Sequence, residues 1–380
     1  MSTNLHIPDT SEYHMPNRIL LVTPASPFSS RTGAEQRTAL LYEALKSIGD
    51  VDVLLLEATS GKTQTRSNAR GVVAHEYWVQ HPFGINKFRP DNELSQTLAS
   101  QGVDLNNYTL IVGRYINPIC KLHIPNHIRT VVDLDDWSYS YHNAYFRWAA
   151  RVKSLYIQWV TSLQFARFDS FFFVSKRDQA HHPTLHSTVL PNIPFISPKI
   201  PFPPTKNATL LFVGSLWYGP NRQGVDHFLK HCWPHIKFEH PNATLLLAGA
   251  APEPVRSEWE KHAGVCAPGY VEDLSKIYRD AAFTIAPLYY GGGSNIKILE
   301  SVAYGRACIS TPHSVAAFQP ELGMAGIGLA HSDKEFIKLC LAWLDDPAKR
   351  NLIAKNGYSK LVQHYTRTLF FERVREICSL

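Results

Sequence analysis

At 380 residues, with 44% hydrophobic and 18% charged residues, the chain is longer than one core normally serves and too apolar to be disordered. Its net charge of +6 suits a protein that meets anionic ligands or an anionic membrane surface, and the lack of a Lys/Arg block or a recognised binding motif argues against nucleic acid. No run of about 18 apolar residues is present to cross a bilayer, the N-terminus has no apolar h-region, and six scattered cysteines without C-x-x-C fit reduced cytosolic thiols better than a disulfide frame or a zinc site.

In chain order, residues 1–17 read as a flexible lead. Arg18 to Thr23 (RILLVT) is an apolar run typical of a buried parallel strand. The loop PASPFSSRTGAEQ follows, then a helix from Arg37 to Ile48 and a strand from Asp52 to Glu57. Leu110–Gly113, Thr130–Asp133 and Phe171–Val174 are further strands, and residues 58–100 read as loops that carry no readable code for donor or acceptor. Six prolines between Pro191 and Pro204 block both helix and central strand, so residues 196–206 are expected to be a linker. The pattern then restarts: strand Thr209–Val213, helix Gly224–Cys232, strand Thr244–Ala248, a turn at Tyr270–Asp273, a helix to Ala281 and a strand Ala282–Ala286. Strands alternating with helices predict parallel sheets with crossover helices, arranged as two α/β domains over 18–195 and 207–360. Residues 361–380 are expected to form a helix that packs back on the first domain.

The most informative stretch follows that last strand. Gly291, Gly292 and Gly293 precede a helix-like run from Ile296 to Tyr304. A glycine turn lets backbone N–H groups approach a ligand, and the first helical turn adds free N–H groups and a positive dipole end, an anion site suited to a diphosphate. Lys297 adds a cation, and Glu300 lies on the same helix face. A carboxylate there suits sugar hydroxyls, as an acidic residue does for ribose in dinucleotide sites. The first domain has no G-x-G-x-x-G after its first strand, and Gly33 is the lone glycine of that loop.

The string P-L-x-x-G-x-G-x-x-x-K-I-L-E-x-x-A-x-G-R-x-x-I-S-T, from Pro287 to Thr311, resembles the donor-nucleotide motif of family 4 retaining glycosyltransferases. LFVGSLWYGPNRQGVDHFLKHCWPHI, ATLLLAGAAP, APGYVEDLSKIYRDAAFTIAPL, FFFVSKRD and VLPNIP extend the similarity over roughly residues 18–365, most closely to the exopolysaccharide-type subgroup. The resemblance implies the GT-B fold, two Rossmann-like domains whose parallel sheets face across a cleft. It also implies sugar transfer from a UDP- or GDP-sugar to a glycan or lipid-linked acceptor, with retention, no bound metal and no cofactor beyond the nucleotide-sugar substrate. Carried over by position, Gly292, Gly293, Ser294, Asn295 and Ile296 would cradle the diphosphate. Lys297 would offset its charge, Glu300 would hold the ribose, Tyr270 and Val271 would line the base, and Gly33 would admit the N-terminal loop.

Two positions depart from the family pattern. Gly292 replaces an acidic residue that contacts the donor sugar, and Ser215 replaces an Arg, leaving Arg222 as the nearest basic candidate for the phosphates. These departures keep open a non-catalytic sugar-nucleotide-binding protein, and a sugar-nucleotide epimerase on the same two-domain frame is the other alternative. Asp133-Leu-Asp135-Asp136 admits a metal reading, since paired carboxylates suit Mg²⁺ or Mn²⁺. The two-domain layout favours instead a cleft-facing Asp135 that orients hydroxyls, with Arg114 in the same region. His181, His182 and His186 read as a loop cluster rather than a metal site. Arg147 to Val160 (RWAARVKSLYIQWV) is either an ordinary packed helix, the plainer reading, or a basic-aromatic helix lying on a membrane surface. A cytoplasmic location, possible at the inner face of the membrane, is the matching expectation.

Overall fold

The computed structural model describes residues 17–30, 32–59, 65–67, 74–80, 88–135, 148–195, 201–291, 294–318, 322 and 325–379. The expected N-terminal lead, Asp136, Gly292, Gly293 and the first part of the proline-rich linker lie outside them. Two sheets organise the chain. The first contains β1 (Arg18–Thr23), β2 (Asp50–Thr59), β3 (Thr65–Ser67), β4 (Ala74–Gln80), β5 (Leu110–Arg114), β6 (Arg129–Leu134), β7 (Ser170–Phe173) and β8 (Ser187–Val189), in the order β3-β4-β2-β1-β5-β6-β7-β8. Every pair in it is parallel except β3 with β4. Its flanking helices are α1 (Gly33–Lys46), α2 (Asn92–Ser100), α3 (Ile116–Ile119), α4 (Trp148–Ser162) and α5 (Lys176–Ala180).

The second sheet is parallel throughout. It contains β9 (Thr209–Val213), β10 (Thr244–Ala248), β11 (Val265–Gly269), β12 (Phe283–Ala286), β13 (Cys308–Ser310) and β14 (Ile327–Leu329), ordered β11-β10-β9-β12-β13-β14. Around it lie α6 (Gly219–His231), α7 (Trp233–Glu239), α8 (Glu253–Trp259), α9 (Leu274–Asp280), α10 (Ile296–Ala303), α11 (Pro312–Val315), α12 (Asp333–Asp345) and α13 (Pro347–His364). The two-sheet α/β architecture is the one expected from the alternating pattern.

Helix α1 begins at Gly33, not Arg37. Thr32 caps it through a reciprocal box in which the Thr32 hydroxyl accepts from the Glu35 N–H and Glu35 accepts from the Thr32 N–H. Likewise α6 starts at Gly219, where Pro220 tolerates a first-turn position that offers no hydrogen bond. At the carboxyl ends of β9 and β10 the chain comes very close: Gly249 has φ +150°, and a Cβ there would sit 1.7 Å from the Gly214 carbonyl oxygen. Only glycine fits, and Gly214 in turn lies against the Lys297 side chain, whose Cε is 3.1 Å from where a Gly214 Cβ would sit.

Residues 201–206 are not a free spacer. The Phe202 N–H donates to the Tyr304 carbonyl, Arg306 donates to Phe202 O, and Arg350 donates to Thr205 O. The last helix, α14 (Arg367–Cys378), returns to the first domain after a break at Tyr365 and Thr366. Arg129 donates to the carbonyls of Ile377 and Ser379, and the Arg37 guanidinium lies over the Phe370 ring at 5.8 Å. Leu361, Tyr365 and Phe370 are buried as expected, while Tyr358 and Leu369 are half-buried. One buried cluster runs from Leu40 and Ile193 of the first domain through Phe370 and Val374 to Ile298 and Val302 of the second.

Candidate active site between the two sheets

A cavity of about 170 Å³ opens where the strand ends of the two domains meet. Its first-domain wall comprises Gly33, Ala34, Gln36 and Arg37 of α1, with Tyr115, Asp135 and Asn192; its second-domain wall comprises Ser294 and Ile296 at the start of α10. Cavities at strand carboxyl ends are where open α/β sheets bind ligands.

Behind the first-domain wall is a buried charge cluster. The Asp133 carboxylate receives Arg37 Nε and Nη2 at 2.9 and 2.6 Å and Arg114 Nη1 at 2.8 Å. Arg114 Nη2 also donates to Asp135 at 3.1 Å. Arg114 and Asp133 are neighbours in the β5–β6 register, and Asp135 shares the Asp133 face of the strand, so the sheet itself assembles the group. Burial pushes the Asp133 carboxyl up, but Arg37 and Arg114 outweigh it and hold it below 3.8. Burial likewise disfavours the Arg114 cation, but Tyr115, Asp133 and Asp135 overcome this. Both Asp133 oxygens serve guanidinium groups, so the D-x-D sequence here builds an ion-pair cluster. No group of three potential metal ligands occurs among the described residues. Arg114, a sequence candidate for catalysis, is fully buried behind Asp135 and does not line the cavity.

Tyr115 has φ +64° and ψ +154°, a conformation that costs a non-glycine residue about 1–3 kcal/mol. Its ring lies under the Arg114 guanidinium at 4.4 Å. Asn192 joins the two walls. Its Nδ2 donates to Asp135 Oδ1 at 2.9 Å and to Ser294 Oγ at 2.6 Å, and its Oδ1 accepts from Arg37 Nη1 at 2.9 Å.

Helix α10 carries the second-domain candidates. Asn295, at its N-cap, makes no side-chain bond to the helix; its amide donates instead to the Ser314 carbonyl at 3.1 Å. Lys297 is partly buried, with Nζ 2.8 Å from Asn221 Oδ1 and 5.1 Å from the Phe212 ring centroid. Desolvation lowers its pKa to about 8. Glu300 is buried, and desolvation raises its pKa to about 7 against the opposing pull of Lys297. Among the described residues, none donates a hydrogen bond to its carboxylate. The neighbouring Tyr278, whose ring stacks on that of Tyr304 with centroids 4.4 Å apart, has a buried Oη with no hydrogen-bond partner among the described residues. Unsatisfied buried polar groups are rare and call for an explanation.

The remaining candidates are dispersed. Gly33 lines the cavity, and a Cβ there would meet no atom within 4 Å, so protein packing does not require a glycine. Arg222, on α6, is 48% exposed and faces Asp226 at 3.8 Å. Tyr270 is exposed after β11, and Val271 packs beside Tyr278. Gly291 has φ +125° beside Pro220, which ties the start of the cradle to α6. The His cluster is structural: His182 stacks on Phe173, and His186 pairs with Ser170. Sequence reasoning missed Arg37, Asn221 and Asn192. Asn192 and Asn221 stood inside quoted motifs, VLPNIP and GPNRQG, but nothing in one sequence marks their partners.

Residues 207–346 match the family model described as glycosyl transferases group 1. That span includes all of α10. The whole-chain fold is similar to sucrose-phosphate synthase from Thermosynechococcus elongatus (TM-score 0.67, 16% identity, 95% of this chain and 98% of that one). It is also similar to Anabaena HepE in complex with UDP and glucose (TM-score 0.63, 14% identity, 96% and 99%). The fold is GT-B. WaaG, a glycosyltransferase involved in lipopolysaccharide biosynthesis, shares it (TM-score 0.59, 14% identity, 96% and 100%). Among curated proteins, an uncharacterised 44.6 kDa protein of the cps region of Klebsiella pneumoniae is 21% identical over 402 residues, covering 94% of this chain and 98% of the relative.

Proposed function

We propose that this GT-B protein is a retaining glycosyltransferase that moves a sugar from a UDP- or GDP-sugar to a glycan or lipid-linked acceptor, without a metal ion. The observation that carries this reading is α10. Its N-terminus faces the cleft, its cation is held by an amide, and its buried carboxylate has no hydrogen-bond donor among the described residues. The glycosyl transferases group 1 match over the same helix supports it, as does the UDP and glucose complex of HepE.

On this reading each group has a role that its present surroundings leave unfinished. The N–H groups at the start of α10 and Lys297 meet the diphosphate. A nearby dianion favours the ammonium form of Lys297 and so offsets the desolvation that now lowers its pKa. The Glu300 carboxylate accepts from the ribose diol. During transfer the bond from the sugar anomeric carbon to phosphate oxygen breaks while that to the acceptor oxygen forms on the same face. The acceptor proton passes to the departing phosphate oxygen, whose growing charge the fixed dipoles and Lys297 stabilise. Asp135 and Asn192, at the opposite wall, orient sugar hydroxyls. The occupation of Asp133 by Arg37 and Arg114 supports metal independence.

The test has two stages. A panel of UDP- and GDP-sugars is screened by thermal shift, since a ligand that binds only the native state raises its apparent stability. Transfer from the stabilising donor is then measured for Lys297→Ala and Glu300→Ala. Each is expected to lose about 100-fold or more in turnover, the scale of removing one electrostatic contact to the transition state. Unchanged turnover in both folded variants would reject the site.

A further inference from the structure

Among the described residues, helix α4 leaves an apolar stripe uncovered. Val152, Leu155, Tyr156 and Trp159 on the helix and Leu163 just past its end are 56, 52, 46, 59 and 56% exposed. At 3.6 residues per turn they fall within an arc of about 100°. Val160 and Thr161 turn the other way and are buried, and Val160 packs in the first-domain core with Phe165 and Phe168. The Tyr156 and Trp159 rings sit 6.3 Å apart on the stripe. Elsewhere among the described residues, exposed large apolar side chains occur singly or as one adjacent pair on an element's surface, apart from two at distant positions of α13.

Three observations say what covers this face. The first is charge: between Asp136 and Asp169 the sequence has no Asp or Glu, while Arg147, Arg151 and Lys153 lie at or before the first turns of α4. The second is chemistry, because Trp and Tyr with aliphatic neighbours favour the level where acyl chains meet headgroups. The third is size. Five half-exposed side chains offer on the order of 500 Å², less than the roughly 800 Å² per partner of a stable protein interface. In addition, α4 follows β6 in the chain, and the carboxyl end of β6 delivers Asp135 to the cleft.

We propose that α4 docks the protein onto an anionic lipid bilayer, lying in the interface with its Val152–Leu163 stripe inserted. The docking holds the cleft beside the membrane and needs no transmembrane helix. Its test does not use sugar transfer, so it stands or falls apart from the function proposed above.

The full chain is sedimented with vesicles of phosphatidylcholine alone and of phosphatidylcholine mixed equally with phosphatidylglycerol. Binding to the anionic vesicles is expected to be on the order of 100-fold tighter, the effect of two or three basic residues at a charged surface, and to weaken with added salt. The Leu155→Ser/Trp159→Ser double variant is expected to lose it with an unchanged melting temperature. Should that variant melt early, Tyr156→Ser/Leu163→Ser tests the same stripe. Failure to bind anionic vesicles at low salt overturns the proposal. So does full binding by folded stripe variants, or a solution dimer that the same substitutions dissociate.

Discussion

The two domains each bury a set of charges, the first at the cavity wall and the second on α10, whose start at Ser294 and Ile296 reaches the cavity, and they do so under opposite rules. In the first domain Arg37, Arg114, Asp133 and Asp135 balance in number, and each carboxylate meets a guanidinium. The ionised forms of Arg37, Arg114 and Asp133 are favoured there. In the second domain Lys297 and Glu300 are desolvated without forming an ion pair, and both are pushed toward their neutral forms. A satisfied cluster holds a fold together; a desolvated carboxylate with no donor among the described residues, beside an ammonium held by one amide, is a cost that a ligand can remove. On the function proposed above, stability falls to the first group and binding to the second.

The largest expected effect breaks the first group. Asp133→Ala leaves two buried guanidinium groups sharing Asp135, and a loss of about 3–5 kcal/mol is expected in urea unfolding. A variant as stable as the parent would remove the contrast. The second prediction concerns Lys297→Met, which replaces a desolvated ammonium with an apolar chain of similar length. Stability of the ligand-free protein is expected to be kept or raised, while the thermal shift given by the nucleotide sugar falls to near zero.

Acid and base should separate the two groups further. The raised pKa of Glu300 means that its contribution is greatest below pH 4.5 and is lost as the pH rises through about 7. Glu300→Gln should therefore match the parent's melting temperature in mild acid and exceed it above pH 7. Asp133 has the opposite sign: its depressed pKa makes its contribution full at neutral pH, and that contribution is lost as the pH falls below 3.8. A melting-temperature profile of parent and Glu300→Gln checks both signs. The smallest effect is expected at Arg222→Ala, within about 0.5 kcal/mol in stability because its pair with Asp226 is exposed. A donor affinity weakened a few-fold in that variant would place Arg222 near the phosphates; an unchanged one would leave it a surface cation.

Much of this was legible in the residues. Apolar runs such as RILLVT and TLLFV announced buried parallel strands, and Thr32 to Glu35 carried a capping box that set the start of α1 four residues before the sequence reading did. The glycine turn and the Lys297–Glu300 spacing pointed to α10. Strands β3, β4, β8, β11, β13 and β14 were not legible, because short or mixed segments gain their strand character from the neighbours they pair with, and β4 and α2 stand where residues 58–100 read as loops. The linker was read from its prolines as a spacer, yet Arg306 and Arg350 bind its carbonyls, an arrangement that local composition does not encode.

By itself the sequence determined the alternation of strands and helices, the break between two α/β halves and the glycine turn that precedes one helix, since these depend on local periodicity and on backbone freedom at glycine. Only the tertiary structure decided that Arg114 supports rather than touches the cleft, that Asn192 spans the domains to Ser294, and that Glu300 is buried with no described donor to its carboxylate. Each of those facts rests on which residues, far apart in the chain, share one desolvated volume, and desolvation is a property of the packed whole.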